Sequence, residues 1–302
     1  MFKSKNSMSR ALVRRETTAG YLFLLPSLFF FVTFVLYPMF LCIYTSFFDS
    51  NMGKNAVDVF VGLGNYKELF QDKLFLGALK NTVIIVLVAV PTVCAFSLWV
   101  ATAIYDMKPA LTSAFRCIFY LPVVTGSVAV TVVWKWMYNS RFGVFNYLFK
   151  SLGIIDQNIN WLGDARFALW CIILILFTTS VGQPIVLYVS ALGNVDHSLV
   201  EAAQVDGANR RQVFWKIKWA QIMPTTLYIL IITTINSFQC FALIQLLTSG
   251  GPTHSTDTIM YYIYYTAFKL YRYGYGNAMG VVLMIIIAVL SAVQFKLGQQ
   301  SD

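Results

Sequence analysis

The residues best suited to bind another molecule lie between residues 199 and 224, in the stretch LVEAAQVDGANRRQVFWKIKWAQIMP. Apolar residues recur there at helical spacing around Gly207, namely Val200, Ala203 and Val205 before it, then Phe214 and Ile217 after it. Because glycine lacks a Cβ and takes tight turns readily, Gly207 can join two short amphipathic helices. Such a pair needs a surface for its apolar side, either a partner protein or the lipid headgroups. The carboxylate of Glu201 could pair with a basic group on a partner.

A second set of polar residues lies inside a later apolar block. Asn236, Ser237 and Cys240 occur at positions i, i+1 and i+4, and Thr233 precedes Asn236 by three residues. Because helical neighbours recur every three to four residues, three of these side chains can face one conduit. Amide and hydroxyl groups at this depth can bind a polar solute, or they can hold neighbouring helices together. The residues alone leave both roles open.

No motif for covalent chemistry accompanies these residues. The sequence contains no G-x-x-x-x-G-K-[ST] loop, no G-x-S-x-G elbow and no H-E-x-x-H pair. Its five cysteines form no C-x-x-C pair and predict no metal site. We therefore expect neither enzymatic activity nor a bound cofactor on this chain. Any ATP that powers it must be hydrolysed by another chain.

Composition places these residues in a membrane protein. Apolar residues make up 58% of the 302 positions and charged residues 12%, about half the share of a soluble domain. The apolar residues form blocks long enough to cross a bilayer, which takes about 20 residues each. We predict an all-α protein with spans at about residues 20–48, 79–105, 111–137, 167–192, 224–247 and 277–295. The net charge of +9 comes from residues that flank these blocks, so it indicates membrane orientation rather than nucleic-acid binding.

Prolines inside the blocks favour a transporter over an inert anchor. Lipid cannot replace the backbone hydrogen bonds that proline removes, so interrupted spans indicate a packed bundle with a conduit. The alternative transport class is an ion-coupled secondary transporter, which should carry carboxylates within its spans and an inverted internal repeat. No Asp or Glu lies in the middle of a predicted span. A membrane-anchored scaffold or receptor would need neither broken helices nor the 199–224 stretch.

The basic N-terminal segment sets the expected orientation. Residues 1–19 carry five basic residues and one acid, so this tail is expected to remain in the cytoplasm. An even number of spans then returns residues 298–302 to the same side. The 193–223 loop is expected to face the cytoplasm too, and residues 20–297 form one six-span domain.

The 201–224 stretch resembles the E-A-A-x3-G loop of the permease subunits of binding-protein-dependent ABC importers. The matching residues are Glu201-Ala202-Ala203, Asp206-Gly207-Ala208, Ile217 and Pro224, whereas Ala220 stands where the family often has a proline. The resemblance implies an ABC type I importer permease fold. It also implies a cytoplasmic coupling helix that docks on a separate ATP-hydrolysing subunit through Glu201, Ala202, Ala203, Asp206 and Gly207.

Further motifs resemble the carbohydrate-uptake branch of this family, and especially the larger permease of the maltose system. They lie at residues 21–26 (YLFLLP), 62–66 (GLGNY) and 243–252 (LIQLLTSGGP). This resemblance implies import of an oligosaccharide or a related sugar. By similarity to the maltose-type site, the substrate path would include Val181, Gly182, Ile185, Thr233, Asn236, Ser237 and Cys240, and Gln183 and Gln239 are adjacent polar candidates.

The same resemblance implies the partners and the location. The expected partners are a second homologous permease subunit, two ATP-binding subunits that hold ATP and Mg, and an extracytoplasmic sugar-binding protein. The expected location is the inner membrane of a bacterium or archaeon, and no metal or nucleic acid is expected on this chain. For this branch the second permease is expected to be a different chain, so that the pore is a heterodimer, and the motifs leave open which sugar is carried.

Overall fold

The computed structural model describes residues 4–50 and 58–299, and these residues are almost entirely helical. The helices are α1 Ser4–Phe31, α2 Tyr37–Thr45, α3 Gly64–Gln71, α4 Lys73–Tyr105, α5 Pro109–Val124, α6 Ser127–Met137, α7 Val144–Ser151, α8 Ala168–Ser180, α9 Gly182–Gly193, α10 His197–Val205, α11 Arg210–Val213, α12 Trp219–Phe238, α13 Ala242–Leu247, α14 Ile259–Tyr264 and α15 Tyr273–Gln299. Three π-helical segments are Val32–Leu36, Phe214–Lys218 and Tyr265–Lys269. Strands β1 Phe48–Asp49 and β2 Val59–Phe60 pair antiparallel.

Five helical stretches in the described part of the chain are long and apolar enough to cross a membrane. They are Leu12–Thr45, Lys73–Tyr105, Ala168–Gly193, Arg210–Leu247 and Tyr273–Gly298. A sixth span is present if α5 and α6 count as one, since both are apolar and follow each other closely. The predicted all-helical membrane fold with about six spans is thereby confirmed.

The third predicted span, residues 111–137, is not a straight helix. α5 and α6 meet at a bend of 95°, at Thr125 and Gly126. Both residues have extended backbone, with ψ of 126° at Thr125 and 140° at Gly126. A helix cannot continue through two extended residues, so the chain turns sharply there.

The ends of the first and last helices reach beyond the predicted spans. α1 begins at Ser4, so most of the predicted 1–19 tail is helical. α15 continues to Gln299, into the predicted 298–302 tail. Residues 1–3 and 300–302 of these two tails lie outside the described residues. Helices extend past a bilayer readily because water can satisfy their exposed terminal groups.

The centre of the bundle is formed by α4, α9 and α12. Its buried residues include Val93 and Val100 of α4, Ile185 and Tyr188 of α9, and Ile229 of α12. Ile185, Tyr188 and Ile229 are fully buried. In water, full burial of one aliphatic or aromatic side chain contributes about 1.5–3 kcal/mol of transfer free energy. Lipid is as apolar as these side chains, so within a bilayer they stabilise the bundle by close packing instead.

Where membrane helices break, side-chain hydroxyls from other helices donate to backbone carbonyls. At the junction of α8 and α9, Ser97 Oγ of α4 donates at 3.2 Å to the Val181 carbonyl, which also accepts from the Ile185 amide at 3.1 Å. After α12, Thr258 Oγ1 donates to the Cys240 carbonyl at 2.7 Å. Lipid offers no such donors, so these hydroxyls allow the spans to be interrupted.

Asp72 connects the three helices α4, α14 and α15, at the end of the bundle where α4 begins. Its carboxylate caps α4 by accepting from Leu74 N at 2.8 Å and Phe75 N at 3.4 Å. It also accepts from the hydroxyls of Tyr262 at 2.7 Å and Tyr275 at 2.9 Å. Partial burial opposes ionisation of Asp72, but these hydrogen bonds outweigh that effect and lower its pKa below the ordinary value.

Replacing Asp72 with alanine should destabilise the bundle. Loss of the N-cap and of the acceptor for both tyrosines is expected to cost on the order of 1–2 kcal/mol, measured by thermal unfolding in detergent. Because the folded-state pKa is lowered, the stabilisation is present above the ordinary aspartate pKa and is lost as the pH falls through the lowered value. The exposed Asp156→Ala is the matched control. Equal unfolding temperatures for both variants at neutral pH would contradict this role.

Candidate functional site

The stretch that carries the E-A-A sequence forms a hairpin, which we define as residues 196–213. Its first helix, α10, starts at Asp196, whose carboxylate accepts from Ser198 N at 2.9 Å and from Ser198 Oγ at 2.7 Å. Aspartate is among the best N-caps because its oxygen satisfies an amide at the start of the helix. The sequence Asp196-His-Ser198 therefore sets where α10 begins.

α10 ends in a Schellman turn centred on Gly207. The Ala208 amide donates to the Ala203 carbonyl at 2.9 Å, and the Gly207 amide donates to the Gln204 carbonyl at 3.0 Å. Gly207 has φ of +83°, the left-handed conformation that this turn requires and that glycine adopts without strain. The predicted hinge at Gly207 is therefore a fixed turn with its own hydrogen bonds.

The chain re-enters a helix immediately after this turn. The Asn209 amide donates to Gln212 Oε1 at 2.8 Å, and the Gln212 amide donates to Asn209 Oδ1 at 2.9 Å. This reciprocal capping box satisfies two amides at the start of α11. The turn is thus tied to both helices that it connects.

The second helix of the hairpin is not the short, separate helix that we expected. α11, the π segment Phe214–Lys218 and α12 follow one another without interruption from Arg210 to Phe238. Pro224 lies inside α12 instead of before the fifth span. A proline costs one backbone hydrogen bond, and the helix continues through it here. The long helix therefore begins within the predicted 193–223 segment, and the residues before Arg210 lie outside it.

The predicted coupling residues lie on a helix that stands away from the bundle. Glu201, Ala202, Asp206 and Gly207 are exposed, and Ala203 is partly buried. α10 has no fully buried side chain.

Val205 is an apolar residue on the exposed part of α10. It was predicted to share a helical side with Val200 and Ala203, and it is 88% exposed whereas those two residues are partly buried. Val205 lies next to the Schellman turn, so its orientation is set by the turn. The exposed side of the hairpin consequently carries carboxylates together with an apolar side chain.

A cavity of about 650 Å³ lies behind α10. Its walls come from the ends of α4 and α9, from α10 and from the start of the long helix, and include Tyr105, Val200, Gln204, Phe214 and Lys218. Lys218 Nζ lies 5.4 Å from the centroid of the Tyr105 ring. The hairpin therefore contacts the bundle through Val200 and the buried Val213, and open space lies between these contacts.

A second, smaller cavity of about 170 Å³ lies nearer the other end of α12. Three of the predicted substrate-path residues meet there, namely Gln183 of α9 and Thr233 and Asn236 of α12. Its apolar lining is Val123, Pro184, Leu187 and Ile232. The cavity wall combines two amides with a hydroxyl on an apolar surface, which is the chemistry suited to a sugar.

The other predicted substrate-path residues lie outside this lining. Val181 and Ile185 are buried in the core between α4 and α9, and Cys240 packs in a separate apolar cluster. Ser237 is also buried, whereas Gln239 is exposed just after α12.

Gly182 has a packing role at this site. A Cβ at Gly182 would overlap the carbonyl oxygen of Phe119 in α5. Glycine thus lets α9 approach α5 closely and brings Val123 to the cavity.

Two lining residues were missed by the interpretation of the sequence. Thr179 and Ser180, at the end of α8, contribute two further hydroxyls to the cavity. The sequence does contain a signal for these two residues, since Thr178, Thr179 and Ser180 are three successive hydroxyl residues at the end of an apolar run.

The fold and the two cavities define a polytopic membrane transport component. Residues 61–299 match the family described as "Binding-protein-dependent transport system inner membrane component". The chain belongs to this family. It is therefore a multi-pass inner-membrane permease component without a cofactor of its own, and ATP hydrolysis resides on a separate subunit. This membership decides against the ion-coupled secondary transporter.

Individual relatives agree with this assignment. The chain is 33% identical over 288 residues to "Probable ABC transporter permease protein YesP" of Bacillus subtilis, covering 94% of this chain and 91% of the relative. It is 32% identical over 288 residues to "Lactose transport system permease protein LacF" of Rhizobium radiobacter, covering 94% and 95%. A crystal structure of a bacterial alginate ABC transporter, in complex with an alginate pentasaccharide-bound periplasmic protein, contains a similar chain. The TM-score is 0.78 at 24% identity, covering 93% of both chains, which confirms the type I importer permease fold.

Replacing Gly207 with alanine should loosen the hairpin. A Cβ at Gly207 meets no other atom within 4 Å, so the expected cost of about 1–2 kcal/mol comes from the left-handed backbone alone. Faster amide hydrogen exchange over residues 197–209 is the expected result. Gly193→Ala, at the end of α9, is the control and should leave that exchange unchanged. Unaltered exchange in Gly207→Ala would mean that the turn does not need glycine.

Proposed function

We propose that this chain is the membrane-spanning permease subunit of an ATP-driven importer for a carbohydrate delivered by an extracytoplasmic binding protein. The observation that carries the proposal is the continuous helix from Arg210 to Phe238, which joins the E-A-A hairpin to the polar cavity. The lactose relative, at 32% identity over nearly the full chain, supports a sugar as the substrate.

The proposed assembly has this chain beside a second homologous permease, with two ATP-binding subunits below them. The hairpin and both chain termini face the cytoplasm in this arrangement. The exposed basic residues Arg14 and Arg15 near the start of α1 support that orientation, because basic segments remain on the cytoplasmic side.

Docking of the hairpin would use the exposed side of α10. Glu201 and Asp206 present carboxylates to basic groups of an ATP-binding subunit, and such pairs gain strength when the contact excludes water. Ala202 and Ala203 keep the helix narrow enough to enter a groove. Gly207 forms the turn that orients α10 toward the ATP-binding subunit.

Motion at the hairpin would reach the substrate path along one helix. Asn236 lies 26 residues after Arg210 on the same helical stretch, a distance of roughly 39 Å at about 1.5 Å per residue. The cavity of about 650 Å³ behind α10 leaves the hairpin room to move against the bundle. ATP-driven closure of the two ATP-binding subunits would thus shift the helix that carries Thr233 and Asn236.

Contact with the sugar is assigned to the smaller cavity. Gln183 and Asn236 would bind sugar hydroxyls through their amides, assisted by the hydroxyls of Thr179, Ser180 and Thr233. The remaining predicted substrate-path residues would shape this wall from behind or extend it, namely Val181, Gly182, Ile185, Ser237, Gln239 and Cys240.

Reversing the charge at Glu201 tests the docking role. Glu201→Arg is expected to abolish co-purification with the ATP-binding subunits, or to abolish stimulated ATP hydrolysis by the complex, because like charges would meet at the contact. Glu16→Arg makes the same change at an exposed position of α1 and should leave both measurements intact. Full association and hydrolysis in Glu201→Arg would remove the basis for the proposal.

Removing the amide of Asn236 tests the substrate path. Asn236→Leu is expected to lower sugar-stimulated ATP hydrolysis by about tenfold, since it leaves sugar hydroxyls unpaired in the cavity. The measurement uses the full complex in proteoliposomes with a panel of oligosaccharides, lactose first. Asn158→Leu, in an exposed loop, is the matched control. Normal stimulation of Asn236→Leu by the same sugar would place the path elsewhere.

A further inference from the structure

We propose that Gln221 is a positioning residue that closes the base of the hairpin and makes α9 and α12 respond together to force applied at α10. The proposal rests on the coupling role of the hairpin given above. It concerns a residue outside the E-A-A sequence, on the helix that continues into the membrane.

The contact itself is one long-range hydrogen bond. The backbone amide of Asp196 donates to Gln221 Oε1 at 2.9 Å, across 25 residues of sequence. Asp196 is the N-cap of α10, so its amide marks the point where the hairpin starts. Gln221 lies in the first turn of α12, directly after the π segment Phe214–Lys218.

Packing holds α10 mainly through Val200, which contacts the core cluster of the bundle. The helix has no fully buried side chain, and the cavity of about 650 Å³ lies between much of it and the helices behind. The hydrogen bonds at its two ends therefore contribute strongly to its position. The Schellman turn and the capping box fix the end near Gly207 to α11, and the bond to Gln221 fixes the end near Asp196 to α12.

This bond also joins the two helices that form the polar cavity. Asp196 follows α9 by three residues, and α9 carries Gln183. Gln221 belongs to α12, which carries Thr233 and Asn236. With the bond in place, a pull on α10 is shared between α9 and α12. Without it, the pull at the Asp196 end of α10 reaches α12 only through the packing of α9 against α12 in the core.

The chemistry of the contact predicts which substitutions preserve it. Only an acceptor oxygen at the end of a side chain of this length is needed, and glutamate supplies one as glutamine does. Leucine has a similar size but no acceptor. Because the contact is exposed, water can replace the lost partner, so Gln221→Leu changes the position of α10 more than the stability of the bundle.

The first measurement is amide hydrogen exchange in the purified complex with its ATP-binding subunits. Exchange over residues 196–205 is expected to be about three- to tenfold faster in Gln221→Leu, the range that one neutral hydrogen bond supports. Gln221→Glu should retain the exchange of the unmodified protein. Gln204→Leu makes the same change on α10 itself and serves as the control.

The second measurement adds ATP and vanadate and follows exchange over residues 179–187 and 230–238. In the unmodified protein and in Gln221→Glu, amide exchange is expected to change in both segments together. Gln221→Leu should still co-purify with the ATP-binding subunits but lose the coordinated change. The proposal is overturned if Gln221→Leu keeps that change, or if the leucine and glutamate variants lose it alike. No response to ATP and vanadate in the unmodified complex would count against the proposed function instead.

Discussion

The structure depends on the demand that a bilayer makes on backbone hydrogen bonds, because lipid offers no partner for a free amide or carbonyl. The chain meets this demand with long helices, and it breaks them where other helices supply donors. Thr258 satisfies the Cys240 carbonyl after α12, and Ser97 adds a second donor to the Val181 carbonyl at the junction of α8 and α9, beside the Ile185 amide. Both breaks are close in sequence to residues that line the polar cavity, so the constraint that stabilises the bundle also determines where a polar wall can form.

The same constraint explains why the hairpin and the polar cavity share one helix. From Arg210 to Phe238 the backbone remains helical through a π segment and through Pro224. A continuous helix transmits displacement along its axis, whereas a loop would absorb it. The hairpin that precedes this helix is held by hydrogen bonds at its ends and faces open space behind α10. It therefore combines a fixed internal geometry with freedom to move as a unit.

The polar cavity of this chain is small. Its volume of about 170 Å³ is below the roughly 300–1,000 Å³ typical of ligand pockets, so the proposed sugar path would need another wall. The second permease of the proposed assembly would supply that wall. Gln183 and Asn236 are both exposed in the single chain, as residues facing a shared conduit should be.

The sequence by itself determined that the chain is helical, crosses a membrane about six times and carries a hairpin centred on Gly207. These features follow from residues close together in the chain, through apolar block length, helical spacing and the conformational freedom of one glycine. Only the tertiary structure decided that the hairpin continues into the helix of Asn236, that Thr179 and Ser180 reach the same cavity, and that Gln221 meets Asp196. Each of these depends on the path of the backbone or on contacts between distant segments, and the periodicity of a single segment contains no information about which other segment it will face.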